Sequence, residues 1–162
     1  RVLGAQAVGE GGAARRIDVL SMAIQKGATV FDLEEAELCY APQFGAAKDP
    51  VNMAGMVAAN ALRDDAPLIH WDEINTDRST VLDVRRPDEF AESHVSGAIN
   101  IPLDTLRGRL NEIPAGGEIV PYCTVGYRSY FATRILRLNG FNVRNASGGI
   151  TSHNIWRRLN PE

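Results

Sequence analysis

The stretch Ile119-Val120-Pro121-Tyr122-Cys123-Thr124-Val125-Gly126-Tyr127-Arg128 carries the strongest fold signal in this chain of 162 residues. Its first four residues predict a short buried β-strand, and the residues after 128 have the apolar spacing of a helix. In an open α/β sheet, ligands bind beyond the carboxyl ends of the strands, and Cys123 follows the predicted strand directly. The thiol of Cys123 is therefore the candidate nucleophile.

The loop from 124 to 128 predicts an environment that favours a thiolate. A loop that runs into a helix N-terminus points backbone N–H groups inward, and the helix dipole adds positive potential there. Such surroundings lower the pKa of a thiol. Gly126 allows a turn that residues with a Cβ resist, and the Arg128 guanidinium suits an anionic substrate or a leaving group such as sulfite. The candidate substrate-binding residues are Thr124, Val125, Gly126, Tyr127 and Arg128.

A cysteine at a strand end has an ordinary alternative role as a small buried apolar residue. The combination of a strand, Cys123, Gly126, Arg128 and a helix favours a reactive thiol instead. Cysteine-dependent phosphatases and arsenate reductases resemble this arrangement, but they place five residues between Cys and Arg, whereas four intervene here. The shorter loop favours a single transferred sulfur, held as a persulfide, over a tetrahedral oxyanion.

Strands and helices alternate around this loop in the second half of the chain. The pattern predicts strands at 80–84, 98–101, 118–122 and 142–145. It predicts helices at 87–93, 103–113 and 128–139, with Gly140 as the last stop signal. Alternation of this kind implies right-handed crossovers and a parallel sheet with helices on both faces. The predicted fold class is therefore α/β.

The first 62 residues have a different pattern. Apolar residues at three- and four-residue intervals predict a helix at 13–26 that Gly27 ends, and Asp49-Pro50 predicts a capped helix that runs through 61. Shorter signals predict strands at 1–7 and 37–40 and a helical piece at 32–36. Residues 63–67 are charged and end in proline, which is typical of a linker. We therefore place one domain at 1–65 and a second at 66–162.

Composition excludes several classes of protein. Apolar residues make up 44% and charged residues 23%, which is ordinary for a globular protein. No apolar run approaches the ~20 residues that cross a bilayer, and no signal-peptide pattern opens the chain. A net charge of -3 gives no support for nucleic-acid binding. We expect a cytoplasmic protein that binds neither membranes nor nucleic acids, and the lack of Met before Arg1 suggests a fragment.

The two cysteines, Cys39 and Cys123, occur in different contexts. Neither belongs to a CxxC pair or to a histidine cluster, so no metal site is predicted. Free thiols are the expectation for a cytoplasmic chain. We predict that Cys39 is a packing residue of the first domain.

The second domain resembles the rhodanese family of sulfurtransferases. The matching segments are Val81-Leu82-Asp83-Val84-Arg85, Glu89-Phe90, His94-Val95-Ser96-Gly97-Ala98-Ile99-Asn100-Ile101-Pro102, the loop CTVGYR and Gly148-Gly149. Their combination is highly specific and extends over most of the domain. The resemblance implies a parallel sheet flanked by helices and a catalytic Cys123 that carries sulfur as a persulfide.

The same resemblance implies roles for residues outside the loop. Asp83 and Arg85 would be structural or pocket-lining groups, and Asp83 would serve either as an active-site carboxylate or as the partner that orients Arg85. His94 would serve the fold rather than act as a general base. Ile150 stands where related domains often have an aromatic residue, which leaves one wall of the substrate pocket undefined.

The first domain resembles the end of the dimerisation domain of pyridine nucleotide–disulfide oxidoreductases. The matching segments are Leu3-Gly4-Ala5-Gln6-Ala7-Val8-Gly9, Tyr40-Ala41-Pro42-Gln43-Phe44 and Ala47-Lys48-Asp49-Pro50-Val51-Asn52. The subgroup is the coenzyme A-disulfide reductases with a C-terminal rhodanese domain. This implies an incomplete α+β flavoenzyme dimerisation domain, a homodimer, and a Tyr40 that reaches the redox site of the partner subunit.

Cofactors are implied only for the longer parent protein. It would use FAD and NAD(P)H and would act on coenzyme A derivatives. No GxGxxG fingerprint occurs in this chain, so the chain alone should bind neither dinucleotide.

Three functions are compatible with the sequence. The first is a sulfurtransferase module, in which Cys123 takes sulfur from a sulfane donor and passes it to a thiol acceptor, with coenzyme A persulfide as one candidate partner. In the parent, this would supply a flavin-dependent reductase of coenzyme A disulfide, coenzyme A persulfide or polysulfide. The second is a non-catalytic docking and dimerisation module. The third, a phosphatase or arsenate reductase, is disfavoured by the loop spacing.

Overall fold

The structure, a computed structural model, describes residues 1–161. The chain forms two compact units, Arg1–Asp64 and Asp65–Glu162. The predicted linker, residues 63–67, spans the point at which the units divide.

The first unit consists of three helices, α1 (Ala13–Gln25), α2 (Val30–Glu35) and α3 (Pro50–Leu62). Two of them begin at reciprocal caps: Thr29 and Asp32 cap α2, and Asp49 and Asn52 cap α3. Gly27 has a φ of 72° just after α1, as a helix stop requires. The three helices predicted from the sequence are confirmed.

Close packing joins α2 to α3. The side-chain amide of Asn52 donates to the carbonyls of Leu33 and Ala36, at 3.0 and 2.8 Å. A Cβ at Gly55 would lie 2.4 Å from the backbone nitrogen of Glu34, so only glycine allows this approach. The small-residue face of α3 therefore serves to bring its backbone against α2.

The two strands predicted for the first unit were wrong. Residues 1–7 and 37–40 are all described, and none of them lies in a strand. A strand needs a neighbour to satisfy its backbone groups, whereas the N-terminal segment has a single bond of this kind, from the Val2 amide to the Ala28 carbonyl. The described first unit is therefore helical rather than α+β.

Over residues 65–161 the second unit has five short strands and three helices. The strands are β1 (Leu68–Ile69), β2 (Ser79–Asp83), β3 (Ile99–Asn100), β4 (Glu118–Tyr122) and β5 (Asn145–Ala146). The helices are α4 (Pro87–Glu92), α5 (Tyr127–Leu138) and α6 (Gly149–Leu159), with 3₁₀ turns at Trp71–Glu73, Leu106–Gly108 and Leu110–Glu112.

All strand pairs in the second unit are parallel. The order β3-β2-β4 forms one sheet, β1 pairs with β5, and a bridge between Ile119 and Val143 connects β4 to the chain before β5. The predicted parallel sheet with flanking helices is confirmed. Tyr122 ends β4 beside Asp83 at the end of β2, so Cys123 leaves the sheet at its carboxyl edge.

Apolar side chains cover both faces of this sheet. Leu82 and Ile119 pack into one core with Leu136 of α5. Val81 and Val120 point the other way, into a second core that includes Trp71 and Ile150. Neighbouring residues on a strand thus alternate between two cores, as expected for a sheet that is covered on both faces.

Two predicted elements of the second unit differ in the structure. Residues 103–113 form two 3₁₀ turns rather than a helix, although the buried Leu106 and Ile113 have helical spacing. Gly108 ends the first of these turns, and glycine costs about 1 kcal/mol in a helix interior. The last strand is Asn145–Ala146 rather than 142–145, with a single bridge at Val143 before it. Strand β1 and helix α6 were not predicted.

Candidate active site

Cys123 lies between β4 and α5, and the loop after it turns back over its sulfur. Gly126 occupies the helix N-cap position with a φ of 112°, a left-handed conformation that side chains with a Cβ resist. The turn brings the Gly126 amide to 3.2 Å from the Cys123 Sγ. The inward-pointing amide predicted from the sequence is present.

A second donor to the sulfur comes from α5. The Ser129 hydroxyl lies 3.7 Å from the Cys123 Sγ and 3.1 Å from the Gly126 carbonyl, so one proton is shared between two acceptors. Burial alone would raise the pKa of the Cys123 thiol. Hydrogen bonds from the Ser129 amide and hydroxyl, and from the amides of Gly126 and Val125, outweigh burial and lower this pKa below its usual value.

Cys123 borders the apolar core, since the residue is only 2% exposed. Its backbone neighbours nevertheless direct donors at the sulfur, and Thr124, Val125 and Tyr127 are exposed to solvent. A buried cysteine that is merely packed would have no such set of donors. The sulfur thus has apolar contacts on one side and polar contacts on the other.

Arg128 is held by Glu89 of α4. Its guanidinium donates to both carboxylate oxygens, at 2.6 and 2.7 Å, and to the Thr124 hydroxyl at 2.9 Å. Hydrogen bonds from Arg128 lower the pKa of Glu89 to about 2 despite partial burial. The guanidinium that we predicted for an anionic substrate is therefore already paired with a carboxylate.

The N-terminal residues of α6 form hydrogen bonds to the backbone of the loop. The Ile150 amide donates to the Cys123 carbonyl at 2.8 Å, and the Thr151 amide and hydroxyl donate to the Thr124 carbonyl. A Cβ at Gly149 would lie 2.3 Å from the Cys123 carbonyl oxygen. Glycine at 149 is thus needed for the approach of α6 to the loop.

Asp83 and Arg85 form a buried ion pair at the end of β2. The Asp83 carboxylate accepts from the Arg85 backbone amide at 2.9 Å and from its guanidinium, which also donates to the Ser93 carbonyl. Burial and hydrogen bonding to Asp83 both raise the pKa of Tyr122, whose hydroxyl accepts from the Val95 amide. The described contacts of this pair therefore serve the fold around the strand ends.

His94 and Ile150 have structural contacts. The His94 ring stacks on Phe90 at 4.0 Å, with its Nδ1 2.9 Å from the Phe90 carbonyl oxygen, so it serves the fold as predicted. Ile150 is buried in the second core, where Trp71 packs beside it and donates to the Gly149 carbonyl. The missing aromatic at 150 is thus replaced by an aliphatic core residue.

Comparison with known protein families connects this geometry to a known fold. Residues 67–154, more than half of the chain, match the rhodanese-like domain family. The chain belongs to the rhodanese-like family. Its rhodanese domain contains β1 through most of α6, including Cys123 and every residue described above that contacts the loop.

Relatives of this rhodanese-like chain include larger reductases. The reduced CoADR-RHD of Bacillus anthracis superposes with a TM-score of 0.86 at 39% identity, over 91% of this chain and 27% of that one. The NAD-dependent persulfide reductase of A. fulgidus gives a TM-score of 0.79 at 42% identity, over 89% of this chain and 26% of that one. The chain therefore spans about a quarter of each of these proteins.

A smaller relative is similar to the rhodanese domain alone. The sulfurtransferase of Allochromatium vinosum is 34% identical over 85 residues, which are 52% of this chain and 77% of that protein.

Within residues 1–161, no helix combines the length and the hydrophobicity that a membrane crossing requires.

The first unit lies outside the matched rhodanese segment. Cys39 is exposed, so the prediction that it is a packing residue was wrong. The predicted strand around it did not form, and this leaves its side chain on the surface. Tyr40 is 55% exposed, and its role at a partner subunit stays a prediction.

Three residues around the rhodanese loop were not identified as functional from the sequence. Glu89 and Gly149 lie far from Cys123 in the chain, and only the fold brings them to the loop. Ser129 does have a local sequence signal, because it lies in the first turn of the helix that follows the candidate thiol in the chain. A polar residue in that turn could have been considered as a donor to the sulfur.

Proposed function

We propose that this chain is a sulfurtransferase module in which Cys123 carries sulfur as a persulfide. The observation that carries the proposal is the set of donors around the Cys123 Sγ, with the Gly126 amide at 3.2 Å and the Ser129 hydroxyl at 3.7 Å. These donors favour the thiolate, which is the nucleophilic form of a thiol. They also suit the negative charge of a bound persulfide.

The proposed reaction has two balanced steps. The Cys123 thiolate attacks the outer sulfur of a donor R–S–SH, the donor S–S bond breaks, R–S⁻ leaves, and a Cys123 persulfide forms. With thiosulfate as donor, the leaving group is sulfite. An acceptor thiolate then attacks the outer sulfur of the persulfide, which releases a new persulfide and restores the Cys123 thiolate. Sulfur changes carrier without net oxidation.

We further propose that the module works within a longer flavin-dependent reductase. Its likeness to CoADR-RHD and to a persulfide reductase supports this place, with coenzyme A persulfide as a candidate partner and the cytoplasm as the compartment. FAD and NAD(P)H would bind other parts of the parent, because this chain lacks the glycine fingerprint for a dinucleotide. None of the steps above depends on them.

A homodimer through the first unit is part of the same proposal. Leu3, Phe44 and Leu62 of the first unit are large apolar residues that are 86%, 79% and 70% exposed. A second copy would cover them, and Tyr40 would then approach the partner subunit. Light scattering should give the mass of two chains, and a single-chain mass at high concentration would contradict this part.

Two variants test the sulfurtransferase proposal. Cys123→Ala should abolish transfer of sulfur from thiosulfate to cyanide, and Cys39→Ala, which removes the exposed thiol, should leave transfer unchanged. Mass spectrometry after incubation with thiosulfate should show one added sulfur atom on Cys123. Full transfer by Cys123→Ala would contradict the proposal, and a wild-type chain that never forms the persulfide would favour the docking module instead.

A further inference from the structure

The carboxylate of Glu89 neutralises the cation closest to the reactive loop. Its two oxygens accept from both terminal nitrogens of Arg128, at 2.6 and 2.7 Å, and one of them lies 3.3 Å from the Thr124 hydroxyl. The two side chains are 22% and 31% exposed, so solvent screens the pair only in part. A parallel bidentate pair of this kind fixes both orientation and charge.

The other charged groups beside this pair also cancel. Arg86 donates to Asp88 at 2.7 Å, and its Nε lies 3.9 Å from Glu89. The four side chains carry two positive and two negative charges. Residues 124–127 of the loop have no charged side chain. The Cys123 Sγ therefore has backbone amides and the Ser129 hydroxyl as donors, while these four charged side chains beside the loop add no net charge.

Apolar side chains flank the same loop. Val125 is 63% exposed, and Tyr127 is 64% exposed with its ring edge-to-face against Phe131 at 5.1 Å. Such a surface suits a donor whose sulfur is attached to an uncharged organic group. A small inorganic dianion gains nothing from it.

We infer that Glu89 sets the donor preference of Cys123: by cancelling the charge of Arg128, it disfavours dianionic donors such as thiosulfate relative to persulfides with an uncharged arm. The inference rests on the proposed sulfurtransferase function. Either donor delivers its outer sulfur to the Cys123 thiolate, and the leaving group is sulfite in one case and an organic thiolate in the other. Glu89 is a positioning residue, since it acts through Arg128 and touches neither donor.

The test compares thiosulfate with N-acetylcysteamine persulfide on the same preparations of the full chain. Taking a separation of roughly 6 Å between the Glu89 carboxylate and a bound donor, removing the negative charge favours binding of a dianion about tenfold even with water-like screening, and that of a monoanion about threefold. Glu89→Gln and Glu89→Ala should therefore raise kcat/KM for thiosulfate at least about tenfold, mainly through a lower KM. The persulfide value should change about threefold or less.

Two controls separate charge from structure. Glu89→Asp keeps the charge and should keep the wild-type donor ratio. Glu118→Gln removes the same charge from the Arg144 pair at the opposite end of β4 and should leave both donors unchanged. The donor ratio is independent of the folded fraction of each preparation, so partial unfolding of a variant cannot imitate the effect.

The outcomes distinguish a failure of the Glu89 inference from a failure of the proposed sulfurtransferase function. A donor ratio that stays at the wild-type value in Glu89→Gln and Glu89→Ala, while Cys123 still forms its persulfide, would overturn the role of Glu89 alone. An equally large increase of kcat/KM for thiosulfate in Glu118→Gln would also overturn the role of Glu89, because the effect would then come from the net charge of the protein. A wild-type chain that forms no persulfide with either donor would remove the sulfurtransferase function itself.

Discussion

Ser129→Ala removes one specific donor to the candidate nucleophile. The Ser129 hydroxyl lies 3.7 Å from the Cys123 Sγ and 3.1 Å from the Gly126 carbonyl. We expect it to turn toward the sulfur when the thiolate forms, because a charged acceptor binds a proton more strongly than a carbonyl does. The alanine variant should therefore have a less stable thiolate and a higher Cys123 pKa.

The size of this change follows from the geometry. A hydrogen bond to a charged group contributes about 1.5–3 kcal/mol. The 3.7 Å distance is long, which places the Ser129 contact at the weak end of that range, and about 1.4 kcal/mol corresponds to one pKa unit. Since thiolate nucleophilicity rises with pKa along a slope of about 0.4–0.5, the variant thiolate should be intrinsically about threefold faster.

The lower thiolate fraction and the higher nucleophilicity change the reaction rate in opposite directions, so the net effect on the rate reverses with pH. Below the pKa, Ser129→Ala has about tenfold less thiolate, so its exchange rate should be about threefold lower. Above the pKa, both proteins are fully ionised, and the variant should be about threefold faster. The two pH–rate curves should therefore cross, which loss of folded protein alone would not produce.

The assay is the rate of reaction with dithiodipyridine across pH. Cys39 is exposed and would also react, so all proteins should carry Cys39→Ser. Ser96→Ala, at an exposed serine outside the loop, is the matched control and should follow the parent curve. An unchanged midpoint in Ser129→Ala, or one shifted to lower pH, would refute the assignment of this hydroxyl to the thiolate.

Two further predictions concern stability in urea. Gly149→Ala should lower the free energy of unfolding by about 2–5 kcal/mol, because it combines a φ of 57° with a Cβ that meets the Cys123 carbonyl oxygen. Gly140→Ala, at a φ of 82° but in open space, should lose only about 1–2 kcal/mol, and equal losses would show that the contact is unimportant. Asp83→Ala should cost about 3–5 kcal/mol by leaving the Arg85 charge buried without its partner, and a variant as stable as the wild type would contradict this role.

The elements that short-range patterns determine could be predicted from the sequence. Strand β4, the Gly126 turn and helix α5 follow one another within residues 118–138, and the residue types of each give a separate sequence signal. The alternation of these elements then fixes a parallel sheet. The helices of the first unit were predictable for the same reason, since Asp49 and Gly27 mark their ends.

The errors arise where tertiary contacts decide the structure. The spacing of Leu106 and Ile113 is helical, yet these residues reach the core from two separate 3₁₀ turns. Helix α6 begins at Gly149, a residue type that by itself signals a turn. Of the residues around the thiol, Glu89 could not be found from local pattern, because its pairing with Arg128 joins positions 39 apart in the chain.

The hydrogen bonds from α6 to the Cys123 and Thr124 carbonyls have a consequence for biosynthesis. A ribosome makes Cys123 before α6, so the carbonyls of Cys123 and Thr124 gain these hydrogen bonds only after residues 149–151 have been made. In a nascent chain that has not yet emerged past residue 151, the loop around the thiol should therefore be held less firmly. Reactivity would therefore rise only once α6 docks against the loop.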